Sequence, residues 1–125
     1  MEKLSDPGIL EDDVLARAVL SFALLCSPAI AVAGDAGAGG EVYKRYCRGC
    51  HGKDGRGGAH TFMPHIHNLT RKGYIDLRPD GVLEQIIREG GEPYGMSSYM
   101  PAWEGTLDDK QIDDVIAYIR TLPLH

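Results

Sequence analysis

Only three cysteines, one tryptophan and two phenylalanines occur in this 125-residue chain. Three thiols are too few for a disulfide scaffold. No stretch of 18 or more uninterrupted apolar residues marks a membrane-spanning helix, and no stable membrane span is expected after signal cleavage. No internal repeat is visible. Basic charge is not in excess: 13 Lys and Arg against 18 Asp and Glu leave a net charge of −5, and nothing suggests a nucleic-acid partner. With 25% charged residues, the chain has room for one small domain.

What it does have is Cys47-Arg48-Gly49-Cys50-His51. Two thiols three positions apart can each add across one vinyl group of a haem, and the imidazole that follows can bind the iron. One covalent haem c is therefore the expected cofactor, with Cys47 and Cys50 as attachment points and His51 as a metal ligand. A structural zinc site needs four ligands, and the only other cysteine, Cys26, sits in an apolar leader. A thioredoxin-like pair needs a βαβ setting, whereas the flanks here are helical and Gly-rich, without strand-like β-branched runs.

From Ala18 to Ala33 the sequence is almost wholly apolar, preceded by Arg17 and ending in Ala31-Val32-Ala33. That pattern fits a secretory signal peptide with cleavage before Gly34, so residues 1–33 are expected to be a leader plus an upstream extension. A buried helix or an uncleaved anchor is the alternative. The acidic stretch ahead of Arg17 conflicts with a basic leader start, and a start nearer Val14 would remove the conflict. Leu25 before Cys26 argues against a lipid-modified cysteine. The expected product is a periplasmic domain, residues 34–125, too small to be comfortably stable alone, so the haem should supply much of its core.

Three helices are legible. The first spans about Gly39 to Arg48, clustering Val42, Tyr43 and Tyr46 ahead of the cysteines. A second starts near Pro79, carries Val82, Leu83, Ile86 and Ile87 on one face, and stops at Gly90-Gly91. The third starts at Thr106, where Thr106-x-x-Asp109 resembles a capping box, and aligns Ile112, Val115, Ile116, Ile119 and Leu122 before Pro123. Two long loops, Gly52 to Arg78 and Gly90 to Gly105, are explained if they wrap a cofactor.

The later loop holds Met96 and Met100. Thioether sulfur is soft and neutral, favours Fe(II), and raises the potential relative to a second histidine. Met100 is the expected metal ligand, because Pro101 stiffens the backbone beside it while Met96 sits in a softer Gly-Met-Ser-Ser stretch.

Tyr43, Cys47-x-x-Cys50-His51-Gly52, Ile87-Arg88-Glu89-Gly90-Gly91, Met100-Pro101-Ala102-Trp103 and Val115 to Leu122 together resemble class I c-type cytochromes. The chain is similar above all to the haem domains of cbb3-type oxidase subunit III. That resemblance implies a small all-α cytochrome c fold of three to four helices around one haem, the first and last crossing near Gly39 or Gly40 and Tyr118. It also implies His51 and Met100 as axial ligands, and a proline carbonyl, that of Pro64, accepting from the His51 ring Nδ1–H.

His60, His65 and His67 crowd the stretch around Pro64, where a metal site, an alternative iron ligand and ordinary loop histidines are the available readings. Trp103 is expected beside the cofactor. Nine basic and four acidic residues between Lys44 and Arg88 contrast with two basic and seven acidic from Glu89 onward. Redox partner proteins could orient so asymmetric a molecule. Two function classes remain: a one-electron carrier, not an enzyme, in a respiratory or dehydrogenase chain, and a catalytic or gas-binding haem domain with a labile sixth ligand.

Overall fold

The computed structural model describes residues 33–57 and 66–124, which form helices and turns with no strand among them. Helix α1 (Ala36–Val42) is capped by the Asp35 carboxylate, which accepts from the Gly37 and Ala38 N–H groups at 2.8 and 3.2 Å. Three glycines in seven residues are poor helix formers, each about 1 kcal/mol worse than alanine. Packing explains them. A Cβ added at Gly39 would collide with the Asp114 carbonyl of helix α4 (Asp109–Ile119), and one at Gly40 would lie 3.3 Å from the Tyr118 ring. Backbone therefore meets backbone where α1 and α4 cross, at the position the resemblance implies.

The helix expected over Gly39 to Arg48 is longer than its periodicity suggests. It continues from α1 through a π-helical turn, Tyr43–Cys47, into the short helix α2 (Arg48–His51), and stops at Gly52 with φ 82°. The wider turn rotates the cysteines relative to a regular helix, and Tyr43 pins the join: its ring packs against Tyr118 at 5.1 Å and its hydroxyl donates to the Gly52 carbonyl at 2.8 Å.

Helix α3 (Asp80–Glu89) follows Pro79, and Gly90, at φ 84°, ends it. Leu83, Ile86 and Ile87 are buried as expected, but Val82 is 36% exposed and lies off that face. The α4 cap also differs from expectation. Thr106 and Leu107 N–H both bond to the Trp103 carbonyl at 2.8 Å, which ties them into a turn, so the helix starts later with a capping box between Asp108 and Gln111. Its stripe is otherwise the expected one: Ile112 and Val115 are fully buried, and Leu122 packs into the same core from the 3-10 turn Leu122–Leu124.

Asp114 is the one buried charged residue among those described, 4% exposed. It accepts from the Asp35 N–H at 2.7 Å and from Lys110 Nζ at 2.6 Å, joining the start of α1 to α4. Lys110, then the Asp35 amide, holds its carboxyl below the usual carboxylate range against the opposing effect of burial. A depressed folded value means this contribution is complete above the unfolded value of about 3.9 and is lost as pH falls through the folded one. Asp114→Asn is expected to lower stability at neutral pH by on the order of 1 kcal/mol, about 4–8 °C in thermal midpoint. Below about pH 4 the midpoints of variant and parent should converge. Curves that stay parallel down to pH 2 would show that the Asp114 charge is not linked to folding.

Candidate cofactor site

A mostly apolar cleft with about 1080 Å³ of empty space, part of it open to solvent, is lined by every cofactor-directed residue named above that lies among the described ones. Cys47, Cys50 and His51 reach it from the π-helical turn and α2, Leu83, Ile86 and Ile87 from α3, and Met100 and Trp103 from the loop after α3.

Both thiols are half-buried. Burial, and secondarily the neighbouring Cys50, pushes the Cys47 thiol up to about 12, so Cys47 stays protonated at neutral pH. A thioether has no ionisable proton, so a covalently attached Cys47 escapes the burial that opposes its thiolate. The His51 ring is driven toward its neutral form, the form that binds metals, first by burial and then by His67. Its Nδ1 is buried and finds no hydrogen-bond partner among the described residues. A ligating histidine normally donates its second nitrogen to a carbonyl or carboxylate. Pro64, the expected acceptor, lies outside the described residues, as do His60, His65 and residues 1–32 of the expected leader.

Both methionines line the cleft, so their presence there does not separate them. Their anchoring does. The Met100 carbonyl accepts from the Gly91 N–H at 3.1 Å, and three residues on the Trp103 N–H is shared between the Ile87 and Arg88 carbonyls at 3.0 and 3.1 Å. A Cβ on Gly90 would come within 2.7 Å of the Met100 carbonyl, so only glycine lets this strap lie against the end of α3. Met96 is less loose than its sequence neighbours suggest, because its N–H donates to the Gly91 carbonyl at 3.0 Å. It is nevertheless followed by the Ser97–Tyr99 turn, where Tyr99 is 63% exposed.

Trp103 lines the cleft and meets Tyr46 edge to face at 5.5 Å. Residues passed over in the sequence line it too. Tyr74 carries the His67 ring stacked at 4.9 Å and the Arg78 guanidinium at 4.0 Å from its centroid. The four-residue spacing of Tyr74 and Arg78 was the available signal, masked by a turn-rich context. Among the described residues no cluster of three or more His, Cys, Asp or Glu is arranged to hold a metal ion, so the zinc reading of the C-x-x-C pair lacks its partners there.

Residues 34–119 match the family model described as cytochrome C oxidase, cbb3-type, subunit III. The chain belongs to the class I c-type cytochromes. It is 32% identical over 88 residues to the cbb3-type cytochrome c oxidase subunits FixP of Bradyrhizobium sp. (strain ORS 278) and of Bradyrhizobium diazoefficiens, covering 70% of this chain and 28% of each subunit. It is also 32% identical over 91 residues to cytochrome c6 of Bryopsis maxima, covering 69% of this chain and 90% of that one. This cytochrome thus spans under a third of the FixP subunits but nearly all of the cytochrome c6. No solved structure matches it significantly.

Covalently bound haem c is the cofactor of this cytochrome family and of this chain. The site fits the group on three counts: two cleft-lining thiols, an imidazole whose buried Nδ1 has no partner among the described residues, and apolar walls with an anchored thioether. Electron transfer by a c-type haem is the family's activity. Among the described residues no helix is long and apolar enough to cross a membrane.

Proposed function

We propose that this cytochrome passes single electrons between protein partners in a respiratory or dehydrogenase chain, its haem held by thioether links at Cys47 and Cys50 and its iron ligated by His51 and Met100. The carrying observation is that the Met100 strap is tied by backbone bonds to Gly91, Ile87 and Arg88 in the same cleft that receives the two thiols and the imidazole. Haem c, when bound, supplies a one-electron iron couple. Cys47 and Cys50 keep it from dissociating, His51 offers a neutral nitrogen oriented through its Nδ1–H, in this reading by the Pro64 carbonyl, and Met100 offers a soft sulfur that favours the reduced state.

With His51 and Met100 both holding the group, no position on it would be left open for catalysis or gas binding, which favours a carrier over an enzyme. Apolar walls from Leu83, Ile86 and Ile87 keep water from the buried face of the cofactor, which limits the reorganisation that accompanies each change of charge. Trp103 packs beside it. Residues 1–33 act as a cleaved leader that delivers the domain to the periplasm, where donor and acceptor proteins meet it, guided by its separated charge.

The test is the oxidised and reduced absorption spectrum of the purified holoprotein. A low-spin signature with the weak near-infrared sulfur-to-iron band is expected in the oxidised form. A high-spin spectrum without that band would favour the catalytic or gas-binding alternative.

A further inference from the structure

We propose that Arg120 is a positioning residue of the haem site, acting from outside the cleft by clamping the segment that carries Tyr74, Ile75 and Arg78 into the cofactor wall. The inference rests on the electron-carrier reading.

Arg120 follows the last turn of α4 and does not line the cleft. Its guanidinium donates to the carbonyls of Ile75 and Arg78 and to the Asp80 carboxylate, three acceptors 45, 42 and 40 positions away in sequence. Five donors in a fixed planar fork suit Arg, and only Arg, to bind several acceptors at once. The segment it grips needs such a grip. Between Leu69 and Asp80 the chain has no helix or strand, and besides turn bonds such as Tyr74 N–H to Arg71 and Arg78 N–H to Ile75, it is held by the Leu69 N–H bond to the Gly55 carbonyl at 2.8 Å and by packing of Ile75 and Leu69 into the core.

What the clamp positions faces the cofactor. Ile75 and Arg78, whose carbonyls Arg120 holds, both line the cleft, as does Tyr74, whose ring contacts both the His67 ring and the Arg78 guanidinium. Arg78 also donates to the Tyr74 carbonyl at 2.9 Å, which fixes its charge over that ring. A fixed positive charge beside the cleft favours the reduced, less positive iron, and an apolar Ile75 excludes water that would favour the oxidised one. Releasing the clamp changes both in the same direction. The reduction potential must then fall.

Redox titration of the full-length holoprotein tests this. Arg120→Gln is expected to shift the potential to more negative values and to speed hydrogen exchange in residues 74–80. Arg120→Lys, which keeps the charge but not the fork, should give a smaller shift of the same sign. Asp80→Ala, which removes the one acceptor outside the cleft and leaves the two carbonyl bonds, should leave the potential unchanged. Because Arg120 is argued to act partly through Arg78, the shift from Arg120→Gln should be smaller in an Arg78→Gln background.

A lowered thermal midpoint with an unchanged potential in Arg120→Gln would overturn the proposal and leave Arg120 as a stability residue. Fully additive shifts in the double variant would overturn the route through Arg78. If Arg120→Gln does not load haem, Arg120→Lys decides by the same criterion, a negative shift supporting the clamp and none overturning it. Absence of the sulfur-to-iron band in the parent would count against the ligand assignment alone, since the Arg120 comparison is made between variants of equal ligation.

Discussion

Met100→Ala is expected to abolish the near-infrared sulfur-to-iron band, turn the oxidised iron high-spin or water- or nitrogen-ligated, and lower the reduction potential. The drop should be on the order of hundreds of millivolts, within the roughly 0.8 V that axial ligands can span. Removing a soft neutral donor takes away a preference for Fe(II) that no other group anchored as Met100 is in the cleft supplies. Met96→Ala should leave band and potential nearly unchanged. Both sulfurs line the cleft, so what separates them is the entropic cost of holding each on iron. The Met100 backbone is already fixed by Gly91 and by Pro101, with Trp103 locked onto the end of α3, whereas Met96 leads into the exposed Ser97–Tyr99 turn. Interchanged spectra, with Met96→Ala losing the band and Met100→Ala retaining it, would transfer the ligand role to Met96. If the band persists in both variants and vanishes only when they are combined, the two methionines substitute for each other and the anchoring argument fails.

Features encoded by neighbouring residues were legible. Cys47-x-x-Cys50-His51 spells out in five residues three side chains that all line the cleft, and the faces of α3 and α4 follow from a 3.6-residue period that burial of Leu83, Ile86, Ile87, Ile112, Val115 and Ile116 bears out. The crossing at Gly39 was legible only through the resemblance to a family, since a Gly-rich helix start carries no periodicity.

Features that depend on distant partners were not. Asp114 looks in sequence like a solvent-facing charge, yet its amide partner at Asp35 is 79 positions upstream. Thr106-x-x-Asp109 has the composition of a cap, but the Trp103 carbonyl captures the Thr106 and Leu107 N–H groups and moves the start of α4 to the Asp108 box. The π-helical turn before Cys47 and the Arg120 clamp likewise arise from tertiary packing, which a local pattern does not record.

Replacing both Cys47 and Cys50 with Ala is expected to eliminate haem staining after denaturing electrophoresis and, in the chain freed of haem, to eliminate cooperative thermal unfolding. Either single variant should keep one thioether link and some colour. The second effect follows from where the apolar surface goes. Tyr46, Tyr74, Met100 and Trp103 are only partly buried against the core and turn side-chain surface toward the cleft. Full burial of one such side chain contributes about 1.5–3 kcal/mol, and a domain has about 5–15 kcal/mol of net stability in all. Even partial loss of that burial over several residues removes most of the margin. The core around Ile112 and Val115 remains, but it joins α1 and α4 more than it holds the segments 66–79 and 90–105, whose reason for ordering is the cofactor between them. Residual helix with no cooperative transition is therefore the expected state. A haem-free chain melting sharply at a temperature close to that of the holoprotein would show that the α1, α3 and α4 packing suffices without the cofactor; undiminished staining in the double variant would mean the covalent anchors lie elsewhere.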